Sequence, residues 1–321
     1  MTQQQPLMAS IRIAGIDRPV SKLIQGSMML SEDRMTESAD LLDAYVAVGG
    51  NAIDTAHVYG ASGAKALGRW MQERGNRADL VLIGKGAHPN EFGPRMTYEA
   101  MKQDLHESLD RLQTDHLDVY KLHRDDPNKS VGYILESLNA LIEAKQCRAL
   151  GASNWTIARI AEANEYAAAH GLIGFACNSP NLSLAKPNEP RWEGCVSAGA
   201  ADIAWHEQSQ LPLLSWSSQA GGFFTGRFAP DRLEDKEAVR VYYSDANWER
   251  LRRARLLAER KGCDANHIAL AYVLRQRYPT CAIIGPANPS ELRSSLPGLE
   301  VSVTEAEADW LDLKPGAEIA S

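Results

Sequence analysis

Short apolar runs recur along the chain and constrain its fold more than any other feature. Eight of them have the length and composition of buried β-strands. They occupy residues 22–26, 51–54, 80–85, 117–123, 148–152, 175–178, 213–216 and 281–284. Amphipathic helical stretches lie between most of these runs; one of them carries Met101, Leu105, Leu109 and Leu112 on a single face. The pattern therefore predicts an alternation of strand and helix along the whole chain.

The spacing of these strands favours one α/β architecture. In the middle of the chain successive strands begin about 30 residues apart, which is the length that a right-handed βαβ crossover needs. Eight such units in 321 residues predict a (β/α)8 TIM-type barrel. A doubly wound sheet would carry a G-x-G-x-x-G run after an early strand, and the sequence contains none. Because no linker divides the chain, we expect one domain over residues 1–321.

Three segments depart from this repeat. Residues 10–20 predict a β-hairpin that could close one end of the barrel. The interval before the eighth strand is longer than a crossover helix needs, and residues 217–250 predict a long surface loop. Residues 304–313 begin with the capping box Thr304-Glu-Ala-Glu307 and predict a C-terminal helix.

Charge and composition exclude several classes of protein. The chain has 34 Lys and Arg against 41 Asp and Glu, a net charge of −7, which argues against nucleic acid or an anionic membrane as a partner. The five scattered cysteines form no C-x-x-C motif, which argues against a zinc site and for a reducing compartment. The N-terminus lacks a secretory signal, and glutamines and serines interrupt the uncharged window 208–226. We therefore expect a cytoplasmic protein without a metal or a membrane span.

Four polar residues lie where the predicted strands end, which is where barrel enzymes place their active sites. They are Asp54, Tyr59, Lys85 and His123. Each alone is more often structural, because such residues commonly cap helices or pack in cores. Together they suggest a tyrosine general acid, since a lysine beside a phenol is expected to lower the phenol pKa below about 10, and a carboxylate would hold that lysine in place.

The segment that contains two of these residues resembles the signature of the aldo-keto reductase family. It reads Asn51-Ala-Ile-Asp54-Thr-Ala-His-Val-Tyr59-Gly60-Ala-Ser62, with Leu67-Gly68 after it. Later segments follow the order of that family: Lys85 after Leu82-Ile83-Gly84, His123 in the run 118–123, and Gly151-Ala-Ser153-Asn154. The resemblance implies a (β/α)8 barrel that reduces aldehydes or ketones with a nicotinamide cofactor. It also implies that Asp54, Tyr59, Lys85 and His123 are the catalytic tetrad.

The same resemblance implies a cofactor site along the strand ends. It assigns Gly26, Ser27, Met28 and Asp54 to the cofactor's approach, Ser153, Asn154 and Asn178 to its carboxamide, and Trp216 to stacking on the nicotinamide. Ser217, Gln219 and Gly221 would contact the pyrophosphate.

Residues 283–295 align with the family's adenosine-phosphate site, which includes Gly285. NADP-preferring members usually carry basic residues there, whereas this chain has Asn288 and Glu291, and Ser295 in place of a common asparagine. Only Arg293 or Arg227 could supply positive charge, so both NADP(H) and NAD(H) stay open as cofactors.

The predicted function is the reduction of a small aldehyde or ketone by hydride transfer. The alternative is a nicotinamide-binding regulatory or redox-sensing subunit with little turnover. Candidates for the substrate pocket are His57, Phe92, Trp155 and Trp192. The sequence leaves the oligomeric state open.

Overall fold

The computed structural model describes residues 8–319. The strands in this range are β1 (Ser10–Ile11), β2 (Val20–Ser21), β3 (Leu23–Gly26), β4 (Ala52–Asp54), β5 (Val81–Gly86), β6 (Leu117–Leu122), β7 (Cys147–Ser153), β8 (Phe175–Ser179), β9 (Leu213–Ser215) and β10 (Thr280–Ile284). The α-helices in this range are α1 (Met35–Ala47), α2 (Ala61–Arg74), α3 (Tyr98–Leu112), α4 (Val131–Glu143), α5 (Ile157–His170), α6 (Ala200–Ser209), α7 (Lys236–Tyr242), α8 (Asp245–Lys261), α9 (Ala265–Leu274), α10 (Pro289–Ser295) and α11 (Glu305–Leu311).

Strands β3 to β10 form a closed barrel of eight parallel strands. Neighbours in the chain pair with one another, and β10 pairs back with β3. Each strand predicted from the sequence lies within one residue of an observed strand at both ends. The predicted (β/α)8 barrel is therefore confirmed, and the carboxyl ends of all eight strands meet at one mouth.

The N-terminal hairpin closes the opposite end of the barrel. Strands β1 and β2 pair in antiparallel fashion, with Ile11 opposite Val20. Ile13, Ile16 and Val20 are buried in one apolar cluster with the first inward-facing residues of the barrel strands. The chain approaches the barrel so closely that a Cβ atom at Gly15 would lie 3.1 Å from the Arg148 carbonyl oxygen.

The segment predicted as a long loop, 217–250, is largely helical. It contains a 3-10 turn at Ala220–Thr225, the whole of α7 and the start of α8. The ring of Phe223 packs against those of Trp248 and Tyr242, with centres 4.8 and 6.2 Å apart. Residues 226–235, which carry Asp231, Arg232, Glu234 and Asp235, lie outside the helices. The buried aromatic contacts hold the flanking helical turns in place.

The C-terminal helix α11 begins as predicted, because Thr304 and Glu307 form the capping box. Within residues 8–319, no helix is both long enough and apolar enough to cross a bilayer.

Alternation along the strands decides which side chains reach the mouth. Val81 and Ile83 of β5, and Val119 of β6, belong to the apolar cluster inside the barrel. Because residues two apart share one face of a strand, Lys85 and Lys121 continue these inward rows toward the carboxyl end.

Candidate active site

A buried carboxylate with two lysines lies at the centre of the mouth. Asp54, the last residue of β4, is 3% exposed. One of its oxygens accepts a hydrogen bond from Lys85 Nζ, and the other accepts one from Lys121 Nζ at 2.7 Å. Lys85 also donates to the Thr55 carbonyl oxygen at 2.9 Å, and Lys121 donates to Ser179 Oγ at 3.1 Å. The sequence predicted the Asp54–Lys85 pair but not Lys121.

We call Asp54, Lys85 and Lys121 the Asp54 group. The charges of its side chains follow from burial and mutual attraction. Burial raises the pKa of the Asp54 carboxyl, but Lys121 and Lys85 outweigh it, so that pKa lies below its ordinary value. Burial also lowers the pKa of both lysine ammonium groups, against the attraction of Asp54. Asp54 is therefore ionised at neutral pH and accepts hydrogen bonds from both lysines.

Tyr59 lies above this group on the 3-10 turn that follows β4. Lys85 Nζ is 5.1 Å from the centre of its ring, and the His123 ring lies 6.0 Å away, nearly perpendicular to it. The structure thus brings together Asp54, Tyr59, Lys85 and His123, the four residues predicted to be catalytic.

The expected direction of the Tyr59 pKa shift is wrong. Burial and the charge of Asp54 raise the pKa of the Tyr59 phenol, while Lys121 and Arg124 oppose the rise. The expectation failed because it left out burial, which is the largest cause of the rise, and the negative charge of Asp54. Tyr59 is therefore protonated at neutral pH.

His123 follows β6 and carries a neutral imidazole. Burial, together with the charges of Lys85 and Arg124, holds its pKa well below the ordinary value. Its Nδ1 atom is buried and has no hydrogen-bond partner within residues 8–319. The ring of His88, two residues beyond β5, lies 4.9 Å from the His123 ring. The sequence analysis did not single out His88.

Ser153, Asn154 and Trp216, which were predicted to bind the carboxamide and to stack on the nicotinamide, meet beside His123. Asn154 has a left-handed backbone with φ of 60°. Its Nδ2 donates to the His123 carbonyl oxygen at 3.2 Å, and its Oδ1 accepts from Trp216 Nε1 at 3.2 Å. Ser153 Oγ donates to the Ser179 carbonyl oxygen at 2.9 Å. This network fixes the half-buried Trp216 indole at the end of β9.

Asn178 does not reach the mouth, which corrects its predicted carboxamide role. Cys177 belongs to the interior cluster, and Ser179 contacts Lys121 inside the barrel. Asn178 lies between them and takes the opposite face of β8. Its Nδ2 lies 3.1 Å from His206 Nε2 on α6. The prediction was wrong because it placed Asn178 on the inward face of β8, which Cys177 and Ser179 occupy.

The segment after β9 has a tight left-handed backbone. Ser217, Ala220, Gly221 and Gly222 have φ of 48°, 49°, 62° and 85°. The turn is closed by its own hydrogen bonds, from the Ala220 N–H to the Ser217 carbonyl oxygen at 2.8 Å and from the Gly222 N–H to the Gln219 carbonyl oxygen at 2.9 Å. Arg191, which the sequence analysis missed, donates to Ser217 Oγ at 2.9 Å and is also paired with Glu237.

Four more predicted cofactor positions lie in this segment, in α10 or at the neighbouring strand ends. Gln219 Nε2 donates to Ser295 Oγ at 3.2 Å and so joins the segment to α10. At the end of β3, a Cβ atom on Gly26 would lie 3.0 Å from the Ile284 carbonyl oxygen, whereas Gly285 has open space around it. The left-handed backbone and the glycines therefore fit a phosphate-containing cofactor along the strand ends.

Glu291 and Arg227 lie on exposed surface. Glu291 accepts a hydrogen bond from the Ala287 N–H at 2.8 Å, which holds its carboxylate at the start of α10. Arg227 pairs with Asp235 at 3.4 Å and covers the Phe228 ring. The sequence analysis named Arg293 as a possible source of positive charge for this site. Arg293 lies in the last turn of α10.

Two of the four pocket candidates face elsewhere. Trp155 is 1% exposed and donates its Nε1 hydrogen to the Arg124 carbonyl oxygen at 3.0 Å, so it is a core residue. His57 contacts Glu107 on α3 at 2.7 Å and does not line the mouth. Trp192 and Phe92 stay exposed, and the Trp192 ring lies 5.9 Å from that of Trp216.

Comparisons with known proteins agree with this geometry. The sequence model described as Aldo/keto reductase family matches residues 22–313. The chain is 30% identical to norsolorinic acid reductase stcV of Emericella nidulans, over 83% of this chain and 69% of that protein. It is 26% identical to the oxidoreductase YrpG of Bacillus subtilis, over 92% of this chain and 93% of that protein. It is also 26% identical to an aryl-alcohol dehydrogenase (NADP+) of Phanerodontia chrysosporium, over 86% and 75% of the two chains.

The family match spans the eight barrel strands and every residue of the Asp54 group. The chain belongs to the aldo/keto reductase family and is an oxidoreductase.

Proposed function

We propose that the chain reduces an aldehyde or ketone to an alcohol, with NADPH or NADH as the hydride donor and Tyr59 as the general acid. The observation that carries this proposal is the position of Tyr59 over the buried Asp54–Lys85 pair, with Lys85 Nζ 5.1 Å from the ring centre. When bound, the nicotinamide supplies the hydride that adds to the carbonyl carbon.

Tyr59 and His123 would divide the work at the carbonyl oxygen. Because its pKa is raised, Tyr59 retains the proton that it donates to this oxygen. His123 is neutral, so one ring nitrogen carries hydrogen and can donate a hydrogen bond that orients the carbonyl. Lys85 stabilises the phenolate that Tyr59 becomes, and Asp54 keeps Lys85 in place.

Ser217, Gln219 and Gly221 would contact the pyrophosphate, and the flat Trp216 indole would cover the nicotinamide. Glu291 is negatively charged beside the expected 2′-phosphate position of NADPH, and it would weaken the usual preference for that cofactor. We therefore propose that the enzyme accepts both cofactors.

An aromatic carbonyl is the substrate class that the mouth favours. Met28, Met29, Phe92 and Trp192 rank among the exposed large hydrophobic side chains, and all four follow the carboxyl ends of barrel strands. Exposed apolar surface of this kind suits a large apolar ligand. The names of two relatives, norsolorinic acid reductase and aryl-alcohol dehydrogenase, agree with this class.

The test measures cofactor oxidation with matched aromatic and short aliphatic aldehydes and ketones, using NADPH and NADH in parallel. We expect turnover that is fastest with the aromatic compounds. Quenching of tryptophan fluorescence by the cofactor, without turnover of any carbonyl, would instead support the regulatory subunit. Equal rates for aromatic and aliphatic compounds would contradict the substrate class alone.

A further inference from the structure

Lys121 is a second lysine in the barrel centre, and the proposed mechanism does not use it. It lies on the inward face of β6 and is 0% exposed. Its Nζ donates to Asp54 Oδ2 at 2.7 Å and to Ser179 Oγ at 3.1 Å. Ser179 in turn donates to the Leu214 carbonyl oxygen at 2.8 Å, so three strands hold the ammonium in place.

The charges of this group do not balance. One carboxylate, Asp54, faces two ammonium groups, Lys85 and Lys121, and the group therefore carries a net charge of +1 when both lysines are protonated. An uncompensated buried charge is costly unless something of opposite sign appears beside it. The proposed reaction creates such a charge, because Tyr59 becomes a phenolate when it gives up its proton.

We propose that Lys121 is a positioning residue for the reduction, which supplies the extra positive charge that stabilises the phenolate of Tyr59 in the transition state. This inference rests on the proposed function. Preorganised charge of this kind accelerates a reaction because it is already oriented before the reaction begins.

The other charged and titratable groups around Tyr59 do not replace Lys121. Asp54 opposes the phenolate, Arg124 favours it, and the Cys195 thiol raises the pKa of Tyr59 slightly. Lys85 adds positive charge below the ring, while His123 and His88 are held neutral by burial. Beside Lys121 itself, burial raises the pKa of the Cys177 thiol to about 11, so this group adds no charge at neutral pH.

The test is Lys121→Met, which keeps the length of the side chain and removes its charge. We expect kcat for carbonyl reduction to fall about tenfold, with KM and the cofactor Kd nearly unchanged. The basic limb of the kcat profile should move to higher pH by about one unit, because Tyr59 becomes a weaker acid. In the direction of alcohol oxidation, the rise of activity with pH should move the same way.

Lys121→Gln separates charge from hydrogen bonding and serves as the second variant if the methionine variant does not fold. It can still donate to Asp54, so a purely structural role would be rescued, whereas our inference expects the same shift of the pH profile. The control is Lys186→Met, which removes a partly exposed ammonium, bound to Tyr272 and Asp312 outside the Asp54 group. It should change stability and leave the pH profile unchanged.

Wild-type pH profiles in both Lys121 variants would overturn the inference. If Tyr59→Phe abolishes reduction while the Lys121 variants keep that profile, only the role of Lys121 fails. If Tyr59→Phe retains wild-type turnover, the proposed function fails.

Discussion

The two ends of the barrel use the same inward-facing strand positions in opposite ways. At the amino-terminal end, Val81 and Val119 pack with Ile13 of the hairpin in an apolar cluster. Further along the same faces of β5 and β6, the inward residues are Lys85 and Lys121, which are equally buried but charged. One strand pattern therefore builds a sealed plug at one end and an electrostatic site at the other.

The difference separates stability from chemistry. Apolar burial at the plug stabilises the fold by about 25 cal/mol for each Å² removed from water. Burying ions at the mouth costs free energy, which pairing and hydrogen bonds only partly offset. Substitutions at the plug should therefore change unfolding alone, whereas substitutions at the mouth should change catalysis as well.

Asp54→Asn should have the largest effect on stability and activity, because it leaves two buried ammonium groups without a counter-charge. We expect a loss of about 3–5 kcal/mol in the free energy of unfolding, measured by urea denaturation, together with loss of carbonyl reduction. An unchanged unfolding midpoint would show that the lysines are not charged in the folded protein.

Asp54→Asn should also change how the free energy of unfolding decreases at acidic pH. The pKa of Asp54 is lowered in the folded state, so its contribution is fully present above the unfolded value of about 3.9. That contribution is lost as pH falls through the lower folded value. The wild-type protein should lose this increment in acid, and the asparagine variant should lack it.

Val119→Ala tests the plug on the same strand face as Lys121. It removes two buried methyl groups and should lower the free energy of unfolding by about 1–3 kcal/mol. The kcat of the folded protein and its pH profile should stay at wild-type values. A shifted profile would mean that the two ends of the barrel are not independent.

Trp216→Ala should weaken cofactor binding by about 1–2 kcal/mol through the lost aromatic contact and burial. The readout is cofactor Kd from isothermal titration, since the substitution removes the tryptophan expected to report binding by fluorescence. Trp216→Phe is the matched control, because it keeps a flat ring and loses only the hydrogen bond to Asn154. An unchanged Kd in the alanine variant would assign Trp216 to packing alone.

Glu291→Arg should have the smallest and most selective effect. Replacing a repelling carboxylate by a cation should tighten NADPH about tenfold, or 1.4 kcal/mol, and leave NADH nearly unaffected. Because Glu291 also accepts the Ala287 N–H, Glu291→Gln is the control that keeps an acceptor without the charge. Equal shifts for both cofactors would show that residue 291 does not face the 2′-phosphate.

The fold was predictable because each strand repeats the same local pattern of an apolar run beside an amphipathic helix. The helices within 217–250 were not predictable in the same way. Their packing depends on contacts of Phe223 with Tyr242 and Trp248, which lie much later in the chain. Short helices with exposed charges look like loops until such packing is known.

Some residues of the candidate site were predictable from the sequence, and others were not. Asp54, Lys85 and His123 were predictable because they end strands, and alternation from Val119 would also have indicated Lys121. Asn178 was placed on the wrong face, near a register shift between β7 and β8 at residues 150–151.

Loop side chains gave no comparable periodic signal. The direction of His57 and the approach of His88 and Arg191 depend on partners such as Glu107 and Ser217, which only the folded chain brings near.

Tyr59→Phe tests the central claim most directly, because it keeps the ring over Lys85 and removes only the hydroxyl group. Carbonyl reduction should fall at least about 10²-fold, the usual contribution of a positioned general acid, while the cofactor Kd stays nearly unchanged. The single-turnover rate constant and the cofactor Kd should be measured on the same preparation. A variant that reduces the carbonyl at the wild-type rate would contradict the assignment of Tyr59 as the acid.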